Sequence, residues 1–121
     1  MIWHVMISLL LVVVPVVRFP WSDIDRAQTE GETSGFIKLV LAGSKDTIVG
    51  AHMVGAHAGE LLGELSLAMQ KHLTLNDILA AIHAYPTMST GIQQAAFEAF
   101  LRSTALATNR RIVRTVLKFQ R

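Results

Sequence analysis

The stretch Gly35–Gly55, GFIKLVLAGSKDTIVGAHMVG, decides the fold because it places a turn cluster between two β-rich runs. The first run has apolar residues at both odd and even positions, which predicts a strand buried on both faces. The turn cluster is Gly43–Asp46, and the second run is Thr47–Val54. Together they predict an antiparallel β-hairpin.

Two helices are expected to follow the hairpin. Apolar residues recur at helical spacing from about Ala58 to His72, which predicts the first helix. Thr74 and Asp77 resemble a capping box that opens the second. The second helix is expected to end near Tyr85, because the residue before a proline avoids helical geometry. Its predicted buried residues are Ile78, Leu79 and Ile82.

The corner Tyr85-Pro86-Thr87 interrupts an otherwise helical pattern within HAYPTMSTGIQQAAFEAF, residues 83–100. Thr87 has a typical N-cap side chain, so a third helix is predicted to begin there. The final segment, Thr108–Arg121, is predicted to be amphipathic with one basic stripe. The buried side predicted for the third helix consists of Ile92, Ala95, Ala96, Ala99, Phe100 and Ser103.

The N-terminal stretch Met1–Val17 is almost wholly apolar. It is slightly short for a membrane-spanning helix of about 20 residues, and Pro15 would disrupt a helix interior. The β-branched run between Val12 and Val17 therefore favours a buried strand. The polar residues 18–34, which contain proline and glycine, predict a loop with turns.

Composition and spacing argue against several kinds of site. The 121 residues include no cysteine, which excludes disulfides, thiolate zinc sites and a dithiol redox centre within them. Gly55–Gly59 lacks the GxGxxG pattern, so it predicts a tight strand-to-helix turn rather than an anion site. A net charge of +2 does not indicate that the chain as a whole binds nucleic acid. The basic stripe is interpreted as a solvated helix face.

Four histidines are candidate metal ligands. They form no His-x-x-x-His pair on a helix and have no carboxylate at ligand spacing, so no metal is expected. We interpret them as ordinary half-buried side chains: His52, His57, His72 and His83.

The predicted order of elements resembles that of one family. The order is a hairpin, a glycine-rich junction, a helix, a short helix, the Tyr-Pro-Thr corner and a final helix. It is similar to the C-terminal dimerisation domain of the pyridine nucleotide-disulfide oxidoreductases, flavoenzymes that include glutathione reductase, dihydrolipoamide dehydrogenase and mercuric reductase. The resemblance implies a homodimer joined through this domain, with FAD and NAD(P) as the cofactors of the parent enzyme. It covers about Val16 to Ala99 and rests on Asp25-Arg26-Ala27, Gly35–Leu39, Ile48–Gly55, Ala58–Leu61 and Tyr85–Thr87.

The resemblance also implies a role for the corner. In the family this loop reaches the other subunit's active site, where a histidine acts as general acid/base, a glutamate orients it and backbone atoms contact the flavin. Here Tyr85 stands at the histidine position and Thr90 at the glutamate position, so both catalytic positions depart from the pattern. An unperturbed tyrosine has a pKa of about 10 and is a poor base at neutral pH. The residues expected to contact a flavin in a complete enzyme are Tyr85, Pro86 and Thr87.

We therefore predict an α+β fold with an antiparallel sheet within residues 12–55, covered on one side by helices. Residues 1–15 are predicted to lie outside the family match, 16–104 to form the dimerisation domain and 105–121 a basic amphipathic helix. Met88 and Gly91 add a likeness to the mercuric reductase branch, in which tyrosine occupies the position of Tyr85.

The expected function is a separated or truncated dimerisation domain of a mercuric reductase-like, flavin-dependent oxidoreductase. We expect it to be homodimeric, cytoplasmic, without nucleic acid, and inactive on its own with no cofactor bound. The chain carries neither an FAD-binding glycine-rich fingerprint nor a Cys-x-x-x-x-Cys pair. The alternative is a small membrane-associated binding protein that uses Met1–Val17 and the basic C-terminal helix.

Overall fold

The computed structural model describes residues 14–119, with side chains described for residues 14–105 and Thr108. Three antiparallel strands in the order β1-β2-β3 form one sheet, and the predicted α+β class is confirmed. The sheet is followed by three helices, and a six-residue helix lies between the first two strands. The elements are β1 (Val16–Pro20), a 3-10 turn (Trp21–Asp23), α1 (Asp25–Glu30), β2 (Phe36–Ala42), β3 (Thr47–Val54), α2 (Ala58–Gln70), α3 (Leu75–Ala80) and α4 (Thr90–Phe119).

The predicted hairpin is confirmed as β2 and β3, which pair from Phe36↔Val54 to Ala42↔Thr47. Gly43 has a φ of 74°, a left-handed conformation that glycine adopts without strain at the start of the turn. Burial alternates along β2, so the prediction of burial on both faces is wrong. The helices cover one face only, on which Ile37, Leu39 and Leu41 are buried.

Residues 18–34 are more ordered than the predicted loop. They contain the end of β1, a 3-10 turn and α1, which ends at Gly31 in the left-handed conformation. Ile24 and Ala27 are completely buried, and so is the indole of Trp21. The sequence missed α1 because a six-residue helix has too few apolar positions to show a period; burial against the rest of the domain stabilises it.

The first strand lies at Val16–Pro20, later in the chain than the run expected from Val12 to Val17. Val17 and Phe19 are buried, whereas Val16 points to the opposite face and is exposed. Residues 12 and 13 lie outside the described residues.

Helices α2 and α3 follow the prediction at their starts. The Thr74 hydroxyl accepts from the Asp77 amide, and the Asp77 carboxylate accepts from the Thr74 amide at 2.7 Å, so the predicted capping box is confirmed. Helix α3 ends at Ala80 rather than near Tyr85, and Ile82 is fully exposed rather than buried. Ala81 is already extended, and the Gln93 side chain from α4 donates to its carbonyl oxygen at 3.1 Å.

Helix α4 begins at Thr90, three residues after the predicted start, and continues to Phe119 as one helix. Residues 108–119 therefore continue α4 and do not form a separate helix, and the side chains of the predicted basic stripe lie outside the described residues. Phe100 is exposed, contrary to the prediction, and Ser103 is half-buried and donates to Asp46 at 2.7 Å. The other predicted members of the buried side are buried: Ile92, Ala95, Ala96 and Ala99. The division of the chain at residues 15 and 104 stays a prediction.

Candidate functional site

The Tyr85-Pro86-Thr87 corner is held by its own hydrogen bonds. The Thr87 hydroxyl donates to the Ala84 carbonyl oxygen at 2.6 Å and lies 2.8 Å from the Ser89 hydroxyl. It is therefore directed toward the preceding residues and not toward the amides of α4, so the predicted N-cap role of Thr87 is wrong. The backbone carbonyl of Thr87 instead accepts from the Thr90 hydroxyl at 2.7 Å. These bonds fix the direction in which the corner leaves α3 and enters α4.

Tyr85 projects from this corner with 72 % of its surface exposed. Its hydroxyl donates to Asp25 Oδ2 at 2.8 Å, which connects the corner to the first residue of α1. The hydrogen bond to the Asp25 carboxylate, and then the negative charge of that carboxylate, raise the pKa of Tyr85 above its ordinary value of 10.0. At neutral pH the phenol therefore keeps its proton and acts as a hydrogen-bond donor.

Thr90, the other residue singled out in the sequence, lies close to Tyr85 in the chain but has a different environment. It is buried, and its hydroxyl is used within the corner. Tyr85 and Thr90 are thus each bonded to a different partner. The carboxylate that contacts the residue at position 85 comes from Asp25, sixty positions earlier.

His83 forms a second long-range polar contact beside the corner. Its Nε2 lies 2.8 Å from Glu64 Oε1 of α2, and its Nδ1 lies 3.2 Å from the Ala81 carbonyl oxygen. The imidazole is 6 % exposed, whereas the Glu64 side chain is 33 % exposed. His83 therefore faces α2 and not the exposed side of the corner. The spacing of the sequence gave no sign of either the His83–Glu64 or the Tyr85–Asp25 contact, because both join separate elements.

Three other histidines of the described residues are exposed, so the interpretation as half-buried side chains is wrong for His52, His57 and His72. His57 lies 3.9 Å from Glu30 at the surface. Among residues 14–119, no group of three histidine, cysteine or acidic side chains is arranged to hold a metal ion.

The Gly55–Gly59 junction is explained by packing. Gly55 has a φ of 151°, and a Cβ at this position would stand 2.6 Å from the Trp21 ring atoms Cδ2 and Cε2. Only glycine fits so close to the indole in this backbone conformation. The junction is thus a tight passage from β3 over Trp21 into α2, as the strand-to-helix interpretation predicted.

The surface beside α4 carries an apolar groove of about 780 Å³. Its apolar lining comes from Phe19 of β1, Leu79 of α3 and three residues of α4: Phe97, Phe100 and Leu101. Phe97 is 54 % exposed although it is large and apolar. We call this feature the α4 groove.

None of the helices within residues 14–119 combines the length and apolar character that a membrane span requires. The stretch Met1–Val13, on which the membrane-associated alternative rests, lies outside the described residues.

Known proteins that match this chain identify the family of its fold, and the matched residues include the corner. The family model described as "Pyridine nucleotide-disulphide oxidoreductase, dimerisation domain" matches residues 9–96. The chain is 40 % identical over 83 residues to the mitochondrial dihydrolipoyl dehydrogenase of Dictyostelium discoideum, covering 69 % of this chain and 17 % of that protein. It is 41 % identical over 83 residues to the dihydrolipoyl dehydrogenase of Thermus scotoductus, covering 69 % of this chain and 18 % of that one.

A solved structure also has a similar fold. The chain resembles the crystal structure of LpdA from Mycobacterium tuberculosis with a TM-score of 0.68 and 25 % identity, over 78 % of this chain and 21 % of that one. The chain spans about a sixth of the length of the two dihydrolipoyl dehydrogenases. These matches do not support the membrane-associated alternative.

Proposed function

Because the chain belongs to the family of pyridine nucleotide-disulphide oxidoreductase dimerisation domains, we propose that it joins the subunits of an FAD- and NAD(P)-dependent oxidoreductase. The observation that carries this proposal is the family match over residues 9–96, which includes the exposed corner. The activity, cofactors and substrates of a complete enzyme belong to the proposal, since the matched relatives are several times longer than this chain.

The proposed role of the corner is to form one edge of a flavin site in the partner subunit. Tyr85 and Pro86 are exposed on the same turn, so they are accessible to a group presented by another chain. When bound, FAD would supply the electron transfer between a nicotinamide and a disulfide. In that setting the Tyr85 hydroxyl would stay protonated and, while it donates to Asp25, would offer its oxygen to the partner as a hydrogen-bond acceptor.

A second part of the proposal concerns what the chain does not do alone. With no cysteine in 121 residues, the thiols of a disulfide reaction would have to come from other residues of a longer protein or from another chain. We therefore propose that these residues by themselves have no turnover. A cytoplasmic location belongs to the same proposal.

The assignment of this chain to one branch of the family is also a proposal. Tyr85, Met88 and Gly91 support a mercuric reductase-like corner, whereas the relatives reported above are named dihydrolipoyl dehydrogenases. Neither Tyr85 nor Thr90 provides the acid/base pair expected from the family resemblance. A partner that relies on this corner would therefore need another base for the thiol step.

Sedimentation equilibrium of the purified chain tests the proposal, with flavin absorbance and NAD(P)H oxidation measured on the same sample. We expect a dimer without flavin absorbance and without turnover. A monomer at every concentration would contradict the subunit-joining role, and bound flavin would contradict the inactive-module part. The matched control is Tyr85→Phe, which removes only a hydroxyl bonded within its own chain and should leave the mass unchanged.

A further inference from the structure

The face of the sheet that the helices leave open carries a row of basic side chains. The strand registers place Arg18 opposite Lys38 and Lys38 opposite His52, so the three residues form one line across β1, β2 and β3. Burial alternates along β2, and Lys38 lies between the buried residues Ile37 and Leu39, so its side chain is on the open face. We call Arg18, Lys38 and His52 the basic row.

The basic row is unfavourable for the domain by itself. Like charges directly opposite each other on neighbouring strands destabilise a sheet. Lys38 has Arg18 on one side and, when His52 is protonated, a second cation on the other. None of the three strands contains an aspartate or a glutamate. The ion pairs within the described residues include none of the three side chains of the row.

Protection of the sheet edges explains only part of the row. Charged side chains on an edge strand hinder its pairing with another chain, and β1 and β3 are the edge strands of this sheet. Edge protection therefore accounts for Arg18 and His52. It does not account for Lys38, which lies in the central strand β2 with both neighbouring strands already paired to it.

Apolar side chains border the basic row on both sides. Val16 stands opposite Val40 on one side of it, and Phe36 stands opposite Val54 on the other. Val16 is 50 % exposed and Val54 is 53 % exposed. Residues two positions apart along a strand are separated by about 7 Å, so both apolar borders lie within reach of one docked segment. Exposed apolar area around fixed charges is typical of a recognition surface.

The Arg18 guanidinium is already oriented on this face. Its Cζ lies 4.0 Å from the centroid of the Phe36 ring, so the two groups form a cation–π contact. The N–H donors of a guanidinium lie in its plane and match the two oxygens of a carboxylate. A side chain that is held in place before binding loses less entropy when its partner arrives. Arg18 is therefore prepared to accept a carboxylate from outside the sheet.

The charge of the face decides what kind of partner fits it. A second copy docked through the same face would bring cations against cations, because a two-fold contact uses the same surface of both chains. Like charges brought together at an interface are unfavourable by several kcal/mol. A partner that presents carboxylates would instead offset the repulsion within the basic row.

We propose that the open face of the sheet docks a protein segment that presents carboxylates between apolar side chains. The carboxylates bind Arg18 and Lys38, and the apolar side chains cover Val16 and Val54. Neighbouring strands are about 4.8 Å apart, which matches the roughly 5–6 Å between side chains three or four positions apart on a helix. The inference goes beyond the subunit-joining role, because it uses the sheet and not the Tyr85 corner.

An NMR titration of the purified chain with a model peptide tests this proposal. The probe is a helical peptide of leucine, alanine and glutamate, and the matched peptide has glutamine in place of every glutamate. We expect amide shifts to change around the basic row with the glutamate peptide, and the glutamine peptide to bind at least about tenfold more weakly. Equal binding of the two peptides, no binding of either, or shift changes confined to the helices would overturn the proposal.

Lys38→Glu is the variant that tests the row itself. It places opposite charges across both strand pairs, so the domain should be at least as stable as the natural chain in urea denaturation. Binding of the glutamate peptide should nevertheless fall at least about tenfold. The control is Lys71→Glu, which makes the same change of net charge at an exposed position after α2 and should change binding by less than about twofold. A folded Lys38→Glu chain that binds the peptide like the natural chain would contradict the proposal.

An anionic lipid surface is the other partner that a basic face attracts. Co-sedimentation with vesicles of phosphatidylserine and phosphatidylcholine distinguishes it from a protein segment. We expect the natural chain and Lys38→Glu to sediment with the vesicles to the same extent. Binding of the natural chain that is lost in Lys38→Glu would identify a lipid surface as the partner of the basic row and would overturn the proposal.

Discussion

The two sides of α4 have opposite compositions. The side that packs on the sheet is made mostly of small residues, with Ala95, Ala96 and Ala99 buried around Ile92. The outward side carries Phe97, Phe100 and Leu101, which line the α4 groove. In a helix selected only for burying its own domain, the larger apolar residues would face inward. The difference indicates that the inward side was limited by close approach to the sheet, while the larger side chains remain on the outward side.

The close approach is greatest at the start of α4. A Cβ on Gly91 would collide with Ile24 Cδ1 and stand 3.2 Å from Ile37 Cδ1. The helix therefore begins in near contact with Ile24, which precedes α1, and with Ile37 of β2, and it continues to pack along β1 and β2. The predictions below test how far the two sides differ, beginning with the largest effect.

Ile92→Ala should destabilise the domain most. Ile92 is completely buried, and removal of its side chain leaves a cavity that costs about 2–5 kcal/mol of unfolding free energy. The matched variant on the outward side is Phe97→Ala, for which we expect about 1 kcal/mol, because half of the ring is already exposed. Urea denaturation at one fixed protein concentration measures both. Equal losses would mean that the outward side is packed as tightly as the core.

Gly91→Ala should be the next largest effect. The added methyl group collides with Ile24, and overpacking of this kind costs about 1–3 kcal/mol. Gly63→Ala is the control, since Gly63 lies within α2 and a Cβ there meets nothing within 4 Å. The control should raise the unfolding free energy by about 0.5–1 kcal/mol. If thermal denaturation shows Gly91→Ala to be as stabilising as Gly63→Ala, the close contact at the start of α4 is wrong.

Thr74→Ala tests α3, which packs against α4. Loss of the capping hydroxyl should lower the unfolding free energy by about 1 kcal/mol. Asn76→Ala, in the same helical turn but outside the capping box, should change it by no more than about 0.5 kcal/mol. Both are measured by urea denaturation at neutral pH. Similar losses for the two variants would rule out a special role for the capping box.

The same capping box has an expected pH dependence. The backbone and side-chain hydrogen bonds from Thr74 lower the pKa of Asp77 below 3.8. A carboxyl whose pKa is lower in the folded state stabilises the fold above its unfolded pKa. The contribution is therefore complete above about pH 5 and is lost as the pH falls through the folded pKa. The stability difference between the natural chain and Thr74→Ala should shrink over this acidic range.

The smallest expected effect is on the pKa of Tyr85, in the corner that leads into α4. Tyr85 is the only tyrosine, so its ionisation can be followed by ultraviolet absorbance without interference from another phenol. The midpoint should lie above 10.0 and fall toward that value in Asp25→Asn, because the carboxylate favours the protonated phenol. The stabilising effect of this contact is present below pH 10 and is lost as the pH rises through the folded pKa. Asp23→Asn is the control and should leave the midpoint unchanged.

Local sequence patterns predicted much of this architecture. The two β-rich runs on either side of the turn cluster Gly43–Asp46 predicted the hairpin, and the spacing of Thr74 and Asp77 predicted the cap of α3. Both features depend on residues that lie close together in the chain. The start of α4 was misplaced because the Thr87 hydroxyl bonds within the corner, to the Ala84 carbonyl oxygen and the Ser89 hydroxyl, instead of accepting from a helix amide.

The contacts of the candidate site were less predictable. The resemblance identified Tyr85 and Thr90 as the residues at the family's two catalytic positions. It gave no information on which groups these two side chains contact in place of the acid/base pair. Asp25 and Glu64 reach Tyr85 and His83 from other elements, across separations of 60 and 19 residues. No periodic pattern records such a pairing, because it depends on how α1 and α2 are oriented against the corner.

The sequence by itself determined the antiparallel hairpin, the capped helix α3 and membership in the dimerisation-domain family, since each rests on ordered local motifs. Only the tertiary structure decided which side chains of α4 between Thr90 and Ala105 are buried and which large ones remain outside. The physical reason is that helical spacing defines faces, whereas the available space against a neighbouring sheet decides which side chains a face can hold. At α4 that space admits glycine and alanine, and the phenylalanines are left to line the groove.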